Sequence, residues 1–371
     1  MKNISKSIKW LLIPLSLLYG LIIYIRNLLF DFNILSSKEF KIPIISVGNI
    51  TVGGTGKTPH IEYLITLLKD DNKIATLSRG YKRKSRGFIL ADDTATAQSI
   101  GDEPMQIKRK YSNILVAVDA KRVNGVKKLL SSPKGADLDA ILLDDAYQHR
   151  HIKPGLSILL IDYNRPLSKD HMLPYGRLRE SAHEKSRANI IIVSKSPENI
   201  SPIERRIMVK DLNLLPYQKL YFTTLHYNHL QPLYPSTAIN IVNEEWGKEN
   251  FSILLVTGIA NPKPLQEYLE NFSNNIEEII YPDHYAFTLK DVNQIRERFK
   301  NLKGNNKIII TTEKDSVRFH SLKIEDELLR SHLFYVPLRI RFLDNDRDLF
   351  NDHILNYVKK NRRSSNLHRK E

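Results

Sequence analysis

Val47-Gly48-Asn49-Ile50-Thr51-Val52-Gly53-Gly54-Thr55-Gly56-Lys57-Thr58-Pro59 is the segment from which the rest of this chain can be ordered. It follows the apolar run Ile42-Pro43-Ile44-Ile45-Ser46 and precedes Ile61, Leu64, Ile65 and Leu68, spaced as one face of a helix. A strand therefore opens into a glycine-rich, lysine-bearing turn and then into a helix. Glycines let backbone N–H groups converge on anionic oxygens, Lys57 can reach the β/γ-phosphates, and the Thr58 hydroxyl is placed to bind Mg²⁺ at the helix N-terminus. The expected ligand is a nucleoside triphosphate cradled by Thr51, Val52, Gly53, Gly54, Thr55, Gly56, Lys57 and Thr58. The strict G-x-x-x-x-G-K-[ST] pattern wants glycine at Thr51. What the chemistry needs is a flexible turn, a Lys-Thr pair and a helix start, and Pro59 marks that start where a missing N–H costs nothing.

The chain has 371 residues, 42% of them apolar, enough for two domains or one large one. Lys and Arg number 56 against 41 Asp and Glu, a net charge of +15 that favours an anionic partner: nucleic acid, an acidic membrane surface or a phosphorylated substrate. The absence of cysteine excludes disulfides, thiolate catalysis and zinc-thiolate sites, and suits a reducing cytoplasm. Residues 10–25 carry no charge and are flanked by Lys2, Lys6, Lys9 and Arg26. A signal peptide, a spanning helix, a buried core helix and a monotopic interfacial helix compete for this stretch. The last fits best, because lysines attract anionic lipid while Trp10, Tyr19 and Tyr24 suit an interface.

From residue 42 onward, short apolar runs at 74–77, 114–118, 140–143, 157–161 and 189–193 alternate with helical patterns. Continuous apolar runs belong to strands covered on both faces, so the expected fold is α/β, a P-loop-type parallel sheet flanked by helices, with ligands beyond the strands' C-terminal ends. A second series at 251–256, 278–281, 307–311 and 333–337 predicts a smaller α/β domain. The expected division is an N-terminal membrane-associated helix at 1–40, a P-loop core at 41–215, a linking ribbon at 216–250, and the smaller domain with a basic tail at 251–371.

Asp144-Asp145 end an apolar strand, where an NTPase places the carboxylate that organises Mg²⁺. Gln148 and His149 follow, suited to orienting a phosphate or water, or to a solvated turn. Gly101-Asp102-Glu103-Pro104 makes Asp102 a candidate base and Glu103 a candidate for the metal shell, although Asp-Glu before Pro is also a common helix start. Arg79 and Tyr81 lie in a basic loop, Ser78-Arg79-Gly80-Tyr81-Lys82-Arg83-Lys84, that suits an anionic substrate or plain solvation. Arg177, Arg179 and Glu180 suit a phosphate clamp or a surface ion pair, and His284 within Tyr281-Pro282-Asp283-His284-Tyr285 reads by itself as structural.

Taken in order, the P-loop segment, Ser78-Arg79-Gly80-Tyr81, Gly101-Asp102-Glu103-Pro104, Asp144-Asp145 with Gln148-His149, Gly176-Arg177-Leu178-Arg179-Glu180 and Pro282-Asp283-His284-Tyr285 resemble the tetraacyldisaccharide 4'-kinase family of lipid A biosynthesis. The resemblance runs from the N-terminal helix to about residue 320. It implies ATP- and Mg²⁺-dependent phosphorylation of an acylated glucosamine disaccharide 1-phosphate at its 4'-hydroxyl, forming lipid IVA. The enzyme would act as a monomer on the cytoplasmic face of the bacterial inner membrane, docked on an anionic membrane surface, with no nucleic-acid partner. It further implies Asp102 as base paired with His284, Lys57 on the phosphates, and Thr58, Glu103 and Asp144 or Asp145 around Mg²⁺. Arg179 and Glu180 would handle phosphate, and Asn49, Arg79, Tyr81, Gln148 and His149 would face substrate or phosphate. The family's Asp-Asp-Gly-Phe-Gln-His is here Asp144-Asp145-Ala146-Tyr147-Gln148-His149, which requires that position 146 avoid a left-handed backbone or tolerate its strain.

Because Asp102 and His284 fall in separate expected domains, domain closure is expected to assemble the site. The main rival reading is a P-loop GTPase or metallochaperone-like regulatory NTPase. Thr312-Glu313-Lys314-Asp315 has the wrong order for a guanine-reading segment. A nucleic-acid-dependent NTPase is the second rival, and no recognisable nucleic-acid module accompanies the charge.

Overall fold

The computed structural model describes residues 10–241, 251–322 and 324–367. Lys2, Lys6 and Lys9 of the N-terminal flank, residues 242–250, and Arg369 and Lys370 of the tail lie outside the described residues. The strands are β1 (Ile44–Gly48), β2 (Ile74–Ser78), β3 (Ile89–Leu90), β4 (Leu115–Val118), β5 (Ala140–Asp144), β6 (Leu156–Asp162) and β7 (Ile190–Ser194). They continue as β8 (Lys219–Tyr227), β9 (Gln231–Pro232), β10 (Ser252–Thr257), β11 (Ile276–Ile280), β12 (Lys307–Thr312), β13 (Leu333–Val336) and β14 (Leu338–Phe342).

The larger sheet runs β14-β8-β7-β6-β1-β5-β2-β4-β3, parallel except at its two edges, where β14 and β3 are antiparallel. β1, β5, β6 and β7 are buried along their whole length, as continuous apolar runs require. Successive residues face opposite layers: Ile45 and Val47 pack with Ile61, Leu64 and Ile65 of the helix Lys57–Leu68, and Ile44 packs with Ile141, Leu143 and Val126 on the other side. β1 lies between β5 and β6, with Val47 in register with Asp144. The turn after β1 and the carboxylates ending β5 therefore share one crevice at the strands' C-terminal ends.

The smaller sheet, β11-β10-β12-β13-β9, is parallel apart from β9. Two expectations change here. Residues 219–227 form no linking ribbon: after the helix Pro202–Leu212 the chain returns as β8, parallel to β7, so this is one more βαβ unit of the first sheet. Nor does everything after residue 251 belong to the second unit. β14 pairs with β8, and Phe350, Ile354 and Val358 of the final helix Asp346–Leu367 enter the first sheet's core. The crossing-back was hidden because β14 is short and alternating, with Arg339 and Arg341 between apolar residues, like any edge strand.

The N-terminal helix spans Ile13–Asp31 and is long and apolar enough to cross a membrane. It is no core helix. Leu15, Leu17, Leu18, Leu21, Ile22 and Tyr24 are exposed, and only Ser16, Asn27 and Phe30 are buried. One face is stitched to the crevice side of the first sheet: Ser16 donates to Met172 O (2.7 Å), Tyr19 to Arg179 O (3.0 Å), and Arg150 to Asn27 O (3.0 Å).

Candidate active site

The turn after β1 enters its helix through Gly56, whose φ of 81° is left-handed and favours glycine. Pro59 consequently occupies the third helical position, still within the first turn, where it forfeits no helical hydrogen bond. Four carbonyls of the loop are held from behind. Arg165 donates to Val52 O and Gly54 O (3.3 Å each), Lys195 also donates to Gly54 O, Ser194 Oγ to Thr55 O (2.8 Å), and His60 Nδ1 to Gly56 O (2.7 Å). In a trans peptide the following N–H points opposite to the carbonyl, so the amides of Gly53, Thr55, Gly56 and Lys57 are turned away from these side chains. Burial lowers His60 to about 4, so its ring is neutral, with Nδ1 donating and Nε2 accepting from Thr223 Oγ1 at 3.1 Å. Arg165, Lys195, Ser194 and His60 gave no signal in the sequence, because each reaches the loop from another strand or the helix behind it.

Lys57 Nζ lies 3.3 Å from Asn49 Oδ1 and 3.6 Å from Asp145 Oδ1. Asp145 also accepts from Arg179 Nη1 at 3.4 Å; burial would raise its carboxyl, but Lys57 and Arg179 outweigh that and lower it. Asp144 differs. It is fully enclosed, its Oδ1 has no hydrogen-bond partner within the protein, and burial, Glu103 and Asp145 push it up to about 7 against the pull of Lys57 and Arg122. An orphaned buried carboxylate oxygen beside a phosphate loop fits a divalent cation, which Asp145, already held by two cations, fits less well. Among the described residues no three His, Asp or Glu side chains converge into a complete cation cage. Left-handed strain falls on Asp145 (φ 48°), so Ala146 escapes it and packs into the core with Leu143 and Ile152.

The sign of the Asp144 shift gives a test. Its folded pKa lies above the ordinary 3.8, so the folded chain binds a proton more tightly than the unfolded chain, and stability is lost as pH rises from about 4 through about 7. Asp144→Asn is therefore expected to raise the melting temperature at pH 8 without nucleotide by on the order of a few degrees. Thermal scans at pH 5 and pH 8 check this: the gain should be largest at pH 8 and less than half as large at pH 5.

Asp102 begins the helix Asp102–Lys110 directly after Gly101, whose φ of 98° and close approach to Tyr81 O exclude a side chain. Its Oδ2 accepts from Arg318 Nε (3.0 Å) and Nη2 (2.7 Å), and His284 Nδ1 stands 3.5 Å away. Burial alone would raise this carboxyl, yet the His284 hydrogen bond and the Arg318 guanidinium hold it at about 2. Both ring nitrogens of His284 meet donor-only cations, Lys314 Nζ at 3.1 Å from Nε2 and Arg318 Nη2 at 3.3 Å from Nδ1, so the ring is held between two positive groups beside the Asp102 carboxylate. His284 sits at φ 62°, a left-handed strain of the sort active sites retain, with the Tyr81 ring edge-on at 5.5 Å. Arg318 itself is anchored to Asp315 Oδ1 (2.6 Å) and Gly258 O (3.2 Å). The dyad thus forms across the junction of the two sheets, and two of its partners come from the helix Glu313–His320. The sequence marked that segment only as a failed guanine motif. Its Asp315 is in fact committed to Gly258 N (2.9 Å) and Thr312 Oγ1 (2.7 Å).

The remaining candidates separate into two groups. Arg79 is exposed, and with Arg122 it lies near His149, which burial and then these cations lower to about 4. Gln148 donates to Asn49 O (2.8 Å) and accepts from Arg179 (3.4 Å), tying the β5 turn to the P-loop. Thr58 is in the first helical turn, half-buried. Glu180, expected to handle phosphate, is fully buried, paired with Arg187 and 4.0 Å from Arg26, and its Oε1 accepts no hydrogen bond from the described residues. Arg122 was missed. It is buried, reaches Asp119 O (2.7 Å) and the carbonyls of Asp144 and Asp145 (3.4 Å each), and lies too far along the chain from either for local pattern to reveal it.

A glycine loop that presents amides and a lysine at a helix start, beside a strand ending in a carboxylate pair, defines a P-loop nucleotide-binding protein. A sequence profile of the tetraacyldisaccharide-1-P 4'-kinase family matches residues 8–359. The tetraacyldisaccharide 4'-kinase of Phocaeicola vulgatus is 49% identical over 98% of this chain and 99% of its own, and that of Bacteroides thetaiotaomicron is 49% identical over 98% and 96%. Among solved structures, LpxK from Aquifex aeolicus, crystallised in complex with ATP, superposes with a TM-score of 0.73 at 26% identity, covering 95% of this chain and 99% of that one. The chain belongs to the tetraacyldisaccharide-1-P 4'-kinase family.

Proposed function

We propose that this protein transfers the γ-phosphoryl group of ATP to the 4'-hydroxyl of a tetraacylated glucosamine disaccharide 1-phosphate. The carrying observation is the joining of two half-sites: Gly101, just before Asp102, packs on Gly80 and Tyr81 at the C-terminal end of β2, and β2 lies beside β5, whose Asp144 ends the strand next to the P-loop. A base and a phosphate cradle therefore border one crevice. Family membership supplies the acceptor.

The outward-turned amides between Gly53 and Lys57 bind the triphosphate oxygens, and Asp145 with Asn49 steers the Lys57 ammonium toward the β/γ bridge. Thr58, Asp144 and Glu103 are the residues that would hold Mg²⁺, which when bound neutralises charge on the β- and γ-phosphates. Asp102 accepts the hydroxyl proton. Held at about 2 it is a weak base, which suffices in a loose transition state because the sugar hydroxyl becomes strongly acidic only as its bond to phosphorus forms. His284, with Nδ1 3.5 Å from Asp102 Oδ2, and Arg318 together keep the carboxylate oriented. Arg79 and a neutral His149, backed by the buried Arg122, face the anionic acceptor. The exposed apolar face of the helix Ile13–Asp31 docks on the cytoplasmic leaflet, bringing the crevice to the lipid.

The full chain, incubated with γ-labelled ATP, Mg²⁺ and the disaccharide lipid in mixed micelles, should place label in the organic extract. Unlabelled ATP should compete and GTP should not. Label released only as inorganic phosphate, or competition by GTP alone, overturns the reading in favour of a regulatory NTPase.

A further inference from the structure

Behind the P-loop helix lies a group of four charges with no part in the chemistry described so far. Glu62, 2% exposed, accepts from Lys110 Nζ, from Gln106 Nε2 (2.8 Å) and from Arg339 Nη1 (3.1 Å). Lys110 also reaches Glu313 Oε1 (2.6 Å), and Glu313 Oε2 is 3.4 Å from Arg339 Nη1 and accepts from Leu338 N at 3.3 Å. Two buried carboxylates thus face two part-exposed cations, a neutral set whose members satisfy one another. Burial and the neighbouring Glu313 raise the Glu62 carboxyl, and Lys110 and Arg339 draw it back.

The addresses of these four residues give the group its meaning. Glu62 is four residues after Thr58 on the P-loop helix, and Gln106 and Lys110 are four and eight residues after Asp102 on theirs, so each helix shows the group the side that bears its functional residue. Glu313 opens the helix whose next residues, Lys314 and Arg318, hold His284 and Asp102, and Arg339 lies on β14, where the chain crosses back to the first sheet. Arg109 reinforces the same contact by donating to Val317 O at 3.0 Å.

We propose that Glu62 is a positioning residue for phosphoryl transfer: with Lys110, Glu313 and Arg339 it fixes the spacing between the phosphate cradle and the Asp102–His284 dyad. This rests on the kinase reading above. An error of about 1 Å between nucleophile and phosphorus costs on the order of 100-fold in rate, so the spacing acts on turnover more than on binding.

The test measures lipid phosphorylation by the full chain carrying Glu62→Gln, Lys110→Met, both, or Arg339→Lys. Glu62→Gln should lower kcat by about 10- to 100-fold, with KM for ATP and for the lipid within about three-fold of wild type. The double variant should lose no more than the worse single one, because the charges act as a unit. Arg339→Lys, which keeps the charge but loses the fork, should lose less in the same direction and serves if Glu62→Gln folds poorly. Ile65→Val, a core change on the same helix, controls for stability and should keep kcat near wild type. Unchanged turnover in Glu62→Gln, a rise in KM at constant kcat, or an equal kcat loss in Ile65→Val overturns the assignment. If the wild type itself transfers no phosphate, it is the kinase reading that falls.

Discussion

Replacing Asp102 with asparagine is expected to lower kcat by roughly a hundred- to ten-thousand-fold, the usual worth of a positioned general base. ATP affinity should change little, because Asp102 meets Arg318 and His284 and makes no contact with the phosphate loop. The fold should survive: Arg318 keeps Asp315 and the Gly258 carbonyl, so no buried charge is left alone. A folded pKa of about 2 against an ordinary 3.8 means that the Asp102 pairing stabilises fully above about pH 4 and is lost as pH falls through 2. Stability near neutral pH therefore carries no titration of this group, and a loss of rate there reports the missing base. Steady-state kinetics with nucleotide titration on the same sample check it; near-normal kcat would remove Asp102 from the chemistry.

Lys57→Ala should be comparably severe but of a different kind. The ammonium touches Asn49 and Asp145 and, on the reading proposed above, meets the triphosphate, so its loss should remove ground-state binding and transition-state stabilisation together. About a hundred- to thousand-fold in kcat is expected, with weakened ATP binding beside it. Asp145 retains Arg179, so the carboxylate pair should not collapse. The contrast between the variants is the informative result: one loses rate at near-constant nucleotide affinity, the other loses both.

The first sheet was legible because its strands are buried on both faces and write continuous apolar runs, and the P-loop because a strand, glycines and Lys-Thr must be adjacent in sequence. Asp102 and His284, each weak alone, gained meaning only through the resemblance, and they do meet. What stayed hidden was long-range. Arg318 lies 216 residues from Asp102, and Arg165 and Lys195 reach the P-loop from the ends of β6 and β7. The pairing of Glu180 with Arg187, seven residues on, was not legible either, because a carboxylate next to Arg179 reads the same whichever cation it meets. β8 misled because its half-polar run resembles connecting ribbon, and β14 because it is a short, alternating edge strand.

The decisive measurement is a proton–phosphorus correlation spectrum of the lipid recovered after wild-type turnover with ATP and Mg²⁺. A new phosphomonoester coupled to the proton on the 4' carbon, beside the original 1-phosphate, is the predicted result. A new phosphorus signal on another sugar position, or none in the lipid while ATP is consumed, would contradict transfer to a 4'-hydroxyl held beside Asp102.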